Sequence, residues 1–265
     1  MLLKVIFTIS LNSALMHKPK RGDLTWRQPV VFAVATLVCT LLAIWAVVAA
    51  PVGSDAGAVT GVSGLYLAAA VYVPLALWFG VWGCLAGYLS CVFMGIYLNM
   101  PLPFVLVWAL ADFFEGFMPL MVYRSLKTRP VLTLKRPQVT YGVNLLLAAV
   151  LAASALALLY WGTWAFIATF IASIALVLVQ AFAEDRKTWL TWLPIGVFLA
   201  SIASGVFGVG AMAAFGNISL SAFPSVFFGW VLGDMIVLAT LGTLLTVALT
   251  PLIVKSRFYV RRFFS

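Results

Sequence analysis

Apolar stretches of about twenty residues follow one another along the chain, and they constrain its fold more than any other feature. A helix needs about 20 predominantly apolar residues to cross the hydrocarbon core of a bilayer. Eight stretches meet this requirement, at roughly 30–50, 57–73, 75–98, 103–123, 141–160, 162–183, 189–212 and 222–253. No charge separates the second from the third, and Pro74, Gly80 and Gly83 indicate the turn between them. The sequence therefore predicts an all-α, polytopic integral membrane helical bundle with eight transmembrane helices.

The composition argues against several classes of function. The chain is 65% hydrophobic and only 9% charged, which is too little polar surface for a soluble domain of 265 residues. His17 is the single histidine, and Cys39, Cys84 and Cys91 lie in apolar segments without a C-x-x-C spacing. Because no catalytic or metal-ligand set is visible, we expect neither an enzyme nor a metal site, and no cofactor.

Basic residues indicate the orientation of the helices. The formal net charge is +9, and with eight spans nearly every lysine and arginine falls on one side of the membrane. The basic loops follow the fourth, sixth and eighth spans and precede the first, as the positive-inside rule requires. We therefore expect a multi-pass protein of the cell membrane with both termini cytoplasmic. Membrane lipids, rather than nucleic acid, are the partners of this charge.

The same spans divide the chain into segments. We predict a cytoplasmic N-terminal segment (1–28), a first four-helix half (29–124), a basic loop (125–140), a second four-helix half (141–254) and a basic tail (255–265). Residues 1–16 resemble the apolar region of a signal peptide but lack a small-x-small cleavage site. They are expected to be an uncleaved interfacial segment, or to precede a start at Met16.

Two short patterns suggest that the halves are repeats. "WALAD" (108–112) lies in the fourth span and "WVLGD" (230–234) in the eighth, at an offset of 122 residues. A weaker echo pairs Pro74 with Pro194, at an offset of 120. Four crossings return the chain to its starting side, so the halves would form a 4+4 parallel repeat of the kind found in transporters.

The aspartates of these patterns are predicted to lie near the bilayer midplane. Asp112 is nine residues past Pro103, and Asp234 is ten past Pro224, which places both about 15 Å down their helices. Glu115 shares the face of Asp112 one turn further on. An aspartate at a helix centre costs on the order of 3 kcal/mol even on lenient insertion scales, so the three acids are expected to face the interior.

Two interpretations of these acids remain open. A protonated pair, Asp112 with Asp234 or Glu115 with Asp234, would join two helices through a hydrogen bond. Alternatively, Asp112, Glu115 and Asp234 form a ligand-binding site between the halves. Trp108 and Trp230, one turn before each aspartate, would then wall the pocket by stacking on a flat ligand or facing a cation. They would equally serve as packing residues.

Two families share parts of these patterns. "GWVLGDMIVLATLGTLLTVALTPLI" (229–253) resembles the closing helix of eight-span membrane-associated sensor domains, with Gly233, Asp234 and Pro251 at matching positions. "VPLALWFGVWGCLAGYLSCVFMG" (73–95) and "ADFFEGFMPLMVYR" (111–124) resemble the substrate-binding components of energy-coupling-factor vitamin transporters. Both resemblances imply a helical bundle that binds a small molecule from the outer side.

The expected function is binding of a small polar or cationic solute at a midplane acidic site. The chain would be the substrate-binding subunit of a transporter or a membrane sensor, with a separate energising, signalling or complex-forming membrane subunit as its partner. The alternative is a non-catalytic structural or assembly subunit of a larger membrane complex, in which the acids only join helices.

Overall fold

The structure, a computed structural model, describes residues 27–49, 51–54, 57–132, 134–160, 163–256, 258–261 and 263. The predictions for residues 1–16 and for most of the 1–28 segment therefore lie outside the described residues. In this part of the chain five helices are long and apolar enough to cross a membrane, and these are Pro29–Ala49, Leu102–Ser125, Pro137–Ser154, Arg186–Ala214 and Phe223–Ile253. Ala69–Phe79 and Val81–Tyr97 are shorter apolar helices, and Ile171–Ala183 is an apolar part of the longer helix Thr163–Ala183. A multi-pass helical membrane protein is thus confirmed.

The helical and strand segments have the following bounds. They are α1 (Arg27–Ala49), β1 (Pro51–Ser54), β2 (Gly57–Ser63), α2 (Ala69–Phe79), α3 (Val81–Tyr97), α4 (Leu102–Trp108), α5 (Leu110–Ser125), α6 (Pro137–Tyr160), α7 (Thr163–Ala183), α8 (Arg186–Thr191), a π-helix (Trp192–Leu199), α9 (Ala200–Ala214), α10 (Phe223–Val237), a second π-helix (Leu238–Gly242) and α11 (Thr243–Ile253). Segments α4 and α5 form one continuous rod. Two further rods each include a π-helix and run from α8 to α9 and from α10 to α11.

The predicted helix at 57–73 is wrong over its first part. Pro51–Ser54 and Gly57–Ser63 pair as the two antiparallel strands of a β-hairpin, residues 64–68 are irregular, and α2 begins only at Ala69. Glycines at 57, 61 and 64, alternating with the β-branched Val59, Thr60 and Val62, explain the difference, because glycine weakens helices and β-branched residues favour strands. Hydropathy alone does not distinguish a buried strand from a buried helix. The fold is therefore predominantly, but not entirely, helical.

The second and third helices form a tight antiparallel hairpin. Its turn is Gly80, whose positive φ of 66° suits glycine, whereas Pro74 lies inside α2 rather than at the turn. A Cβ on Gly83 would lie 2.3 Å from the backbone of Ala76, and one on Gly87 would lie 2.9 Å from the Tyr72 ring. These small residues are therefore required for the two helices to approach each other.

The proline echo does not align the two halves. Counted in chain order over the described residues, Pro74 lies in the second rod, which is α2. Pro194 lies in the π-helix of the seventh rod, which runs from α8 to α9. In a 4+4 repeat the seventh rod corresponds to the third. The aspartates, in contrast, do lie in the fourth and eighth rods.

The two ends of the bundle differ in charge. At the end we call the basic end, Glu184 accepts bonds from the backbone N–H groups of Lys135 (2.5 Å) and Arg136 (3.1 Å). At the same end, Arg124 donates to the Tyr259 hydroxyl at 3.0 Å and to the carbonyls of Leu77 and Val260. The loops after α5 and α7 thus lie on the same side as the C-terminal segment. The β-hairpin lies at the opposite end, where Ser63 donates to the Ala46 carbonyl at 2.9 Å.

The distribution of side chains fits a lipid surround. Four large apolar residues of α1 are between 55% and 65% exposed, and these are Leu37, Leu41, Trp45 and Val48. Asp112, Glu115 and Asp234, in contrast, are at most 1% exposed. Apolar residues outside and polar residues inside are what a helical bundle in a bilayer requires.

Candidate functional site

A small cavity lies inside the bundle, between the rod of Asp112 and the rod of Asp234. The volume open to the centre of a water molecule is about 10 Å³, which is room for one water. Its lining consists of Gly61, Ser63, Tyr66, Cys91, Met94, Trp108, Asp112, Trp230 and Asp234. Four of the five predicted site residues thus meet around one cavity, and Glu115 is not part of its lining. The β-hairpin and the irregular segment contribute to the wall as well.

Asp112 is held by a tyrosine from the irregular segment. The Tyr66 hydroxyl donates to Oδ2 of Asp112 at 2.8 Å, and both residues are buried. The hydroxyl replaces part of the water shell that the carboxyl group loses on burial. This bond ties the non-helical segment 64–68 to α5 in the middle of the bundle.

Glu115 is held by a second tyrosine, one turn into α2. The Tyr72 hydroxyl donates to Oε2 of Glu115, while Oε1 has no hydrogen-bond partner among the described residues. The Glu115 carboxyl group also lies near that of Asp234 and near the Ser204 hydroxyl. Glu115 therefore belongs to the same polar cluster as the cavity aspartates, although it does not line the cavity.

Asp234 differs from the other two acids. Its side chain is completely buried, and neither carboxyl oxygen has a hydrogen-bond partner within the described residues. Ser204 and Trp230 lie close to its carboxyl group, and they bond to each other through the indole N–H at 3.0 Å. A buried carboxyl group with both oxygens unpaired costs several kcal/mol, so Asp234 at this position requires a proton or a bound partner.

The two tryptophans pack against each other above the acids. The rings of Trp108 and Trp230 meet edge to face, with centroids 6.1 Å apart. Each is seated on a glycine, since a Cβ on Gly61 would lie 2.8 Å from Trp108 and one on Gly208 would lie 2.7 Å from Trp230. The Trp108 indole N–H is buried and has no partner among the described residues.

A close backbone contact explains why glycine, at position 233, precedes the aspartate in "WVLGD". A Cβ at this position would lie 2.6 Å from the Gly64 carbonyl oxygen. The glycine therefore allows the irregular segment to cross α10 directly beside Asp234. Irregular backbone at membrane depth is tolerated only where protein or a cavity surrounds it, and here it borders the acidic cavity.

The cluster has no buried cation to balance it. No lysine, arginine or histidine is buried in the described part of the chain. Nor do its described histidine, cysteine, aspartate and glutamate side chains form a group of three that is suited to a metal ion. Three buried carboxyl groups without a cation beside them are expected to hold protons or to bind a cation.

Sequence reasoning missed the two tyrosines and Ser204. A usable signal existed for the tyrosines, because a phenol hydroxyl inside an apolar segment normally needs a partner. The contribution of Gly61, Ser63 and Gly64 had no such signal, since it follows from the strand that replaces the expected helix. Comparison of the chain with protein-family models, with curated proteins and with solved structures finds no match.

Proposed function

We propose that this chain binds a small cation or a strong hydrogen-bond donor in the acidic cavity, as the binding subunit of a transporter or as a membrane sensor. The observation that carries the proposal is Asp234, fully buried with neither carboxyl oxygen paired. The hydroxyls of Tyr66 and Tyr72 donate hydrogen bonds to Asp112 and Glu115, respectively. Asp234 is thus the acid of the three that receives no hydrogen bond from the described residues.

The aromatic wall favours an ammonium-type cation among such ligands. The Trp108 and Trp230 rings line the cavity together with Asp112 and Asp234. Tryptophan faces attract ammonium groups, and two carboxyl groups supply the opposite charge without the rigid oxygen shell that a metal ion needs. Because the cavity has room for one water only, a ligand larger than ammonium requires the wall to move.

The β-hairpin is the part of the wall that we expect to move. It lies at the end of the bundle opposite the basic end, and Gly61 and Ser63 line the cavity directly. The backbone of Gly61 has a positive φ of 84° and lies against Trp108. A displacement of β2 would therefore open the cavity beside Trp108 and Asp112.

The topology that goes with this proposal has eight crossings and cytoplasmic termini. In it, β2 and α2 form the second crossing together. Seven strand residues at about 3.3 Å and eleven helix residues at about 1.5 Å reach about 40 Å, which exceeds a hydrocarbon core of about 30 Å. The basic end then faces the cytoplasm of a cell membrane, and the hairpin faces outward. A 4+4 repeat remains part of the proposal through Asp112 and Asp234 alone.

A structural role is the second candidate, in which the chain is an assembly subunit of a larger membrane complex. The bonds from Tyr66 to Asp112 and from Tyr72 to Glu115 favour it, because they join separate segments as an internal brace would. A protonated pair of Glu115 with Asp234 would belong to such a brace, since the two carboxyl groups lie near each other, but no hydrogen bond joins them.

The test is the thermal stability of the full chain in detergent with ammonium, methylammonium or choline chloride, against sodium chloride at equal ionic strength. A binding protein shows saturable stabilisation by at least one of these cations. Asp234→Asn keeps the shape but cannot ionise, and we expect it to weaken binding by about 2–5 kcal/mol.

The matched control is Asp185→Asn, which makes the same change at a partly exposed site beside Thr188. It should retain the full stabilisation. Equal stabilisation of wild type and Asp234→Asn would refute the acidic site and leave the structural role.

A further inference from the structure

A second pocket, at the basic end, is formed by residues of opposite character to the acidic cavity. It lies between the end of α5, the turn that follows and the C-terminal segment, which contributes Val254, Tyr259 and Arg261. The volume open to water centres is about 270 Å³. The residues that matter in its lining are Tyr123, Arg124, Lys127, Arg129, Tyr259 and Arg261. Four are basic, and none of the described lining residues is acidic.

We propose that this pocket binds a phosphate-bearing anion. The anion is either the headgroup of an anionic lipid or a free phosphate compound, and the two share the chemistry that the pocket recognises. Four cationic side chains at one end of a membrane bundle attract such groups strongly, and arginine and lysine supply several donors each. This site is independent of the acidic cavity, so neither proposal depends on the other.

The basic side chains are not needed to satisfy the end of α5. The backbone N–H groups of Thr128 and Lys127 donate to the carbonyls of Tyr123 (3.0 Å) and Arg124 (3.2 Å), which closes the helix by backbone bonds alone. Lys127 stands at a positive φ of 52°, a position that usually selects glycine or asparagine. Capping therefore does not account for Lys127 or Arg129, whose side chains are exposed.

Arg124 has a different task in the same pocket. Its guanidinium donates to the Tyr259 hydroxyl and to the Leu77 and Val260 carbonyls. It thereby fixes the C-terminal segment, and with it Arg261, against the end of α5. Arg124 builds the pocket wall, while Lys127, Arg129 and Arg261 supply the charges that a ligand meets.

Tyr123 gives the independent sign of a ligand. It is 1% exposed and lines the pocket, yet its hydroxyl has no hydrogen-bond partner among the described residues. Buried hydroxyl groups without a partner are rare in folded proteins. A phosphate oxygen that reaches this hydroxyl from the pocket would accept its hydrogen bond.

The test compares the double variant Lys127→Gln/Arg129→Gln with Lys187→Gln, an exposed basic residue outside the pocket lining. In one arm, binding of inorganic phosphate and pyrophosphate to the full chain is measured by calorimetry in a neutral detergent. In the other, native mass spectrometry counts phosphatidylglycerol retained from nanodiscs of phosphatidylcholine doped with that lipid. Loss of two charge-assisted contacts should raise the dissociation constant about tenfold or more.

A loss confined to the double variant supports the pocket, and the arm that shows it identifies the source of the phosphate. No binding in either arm overturns the proposal, and so does an equal loss in Lys187→Gln. Tyr123→Phe removes only the unpaired hydroxyl and should weaken binding without lowering the melting temperature of the empty protein. If the double variant does not fold, Tyr123→Phe decides by the same criterion.

Discussion

Replacement of Gly233 by alanine tests whether the irregular segment crosses α10 beside Asp234. The new Cβ would lie 2.6 Å from the Gly64 carbonyl oxygen and 2.8 Å from its carbonyl carbon. Both are backbone atoms, so no side-chain rotation relieves the clash. Overpacking of this kind costs about 3 kcal/mol, from which about 1 kcal/mol is regained because alanine favours a helix over glycine. We therefore expect a net destabilisation of about 2 kcal/mol.

The matched control is Gly210→Ala in α9, where the added Cβ meets nothing within 4 Å. That variant should be stabilised by about 0.5–1 kcal/mol. Thermal unfolding in detergent, followed by tryptophan fluorescence, should place Gly233→Ala about 4–8 °C below wild type and Gly210→Ala slightly above it. Equal melting temperatures for the two variants would refute the crossing of Gly64 over Gly233, and with it the non-helical wall of the cavity.

Three further predictions concern separate parts of the molecule. Tyr72→Phe removes the donor to Glu115 and should cost about 1–3 kcal/mol, whereas Tyr88→Phe, whose bond to Leu106 is at an exposed site, should cost less than about 1 kcal/mol in the same unfolding assay. Similar costs would show that the buried bond of Tyr72 stabilises the fold no more than the exposed bond of Tyr88. Glu184→Ala removes the acceptor for Lys135, Arg136 and Thr140 and should lower the free energy of unfolding by about 3 kcal/mol. Asp185→Asn should leave it nearly unchanged, and equal effects of the two variants would show that the Glu184 bonds do not stabilise the basic end. Reporter fusions after Arg129 and Arg186 should read cytoplasmic and a fusion at Asn217 should read outside, and a reversed reporter at Arg186 would exclude eight crossings.

Most helix positions were predictable because an uninterrupted apolar stretch of about twenty residues is typical of a membrane-spanning helix. The predicted spans 103–123, 189–212 and 222–253 agree within three residues with the described rods 102–125, 186–214 and 223–253. The expected midplane depth of Asp112 and Asp234 comes from the same count and stays a prediction. The sequence did not reveal that residues 57–68 are non-helical, since buried strands and buried helices have the same hydropathy.

The composition of the site was predictable only in part, and for a related reason. Trp108, Asp112, Trp230 and Asp234 could be named because they repeat within long, unambiguous helices. Tyr66, Ser63 and Gly61 enter the cavity from the hairpin and the irregular segment, whose path depends on close backbone contacts at Gly233 and Trp108. Such contacts are a property of the packed bundle, and no local pattern encodes them.

Native mass spectrometry of the gently purified full chain tests whether the acidic cavity holds a ligand. If Asp234 holds a cationic or hydrogen-bond-donating ligand, wild type and Asp185→Asn should carry a small bound species that Asp234→Asn lacks, with all three proteins folded. If wild type and Asp234→Asn both carry the species, or if neither does, Asp234 does not hold a ligand in the acidic cavity.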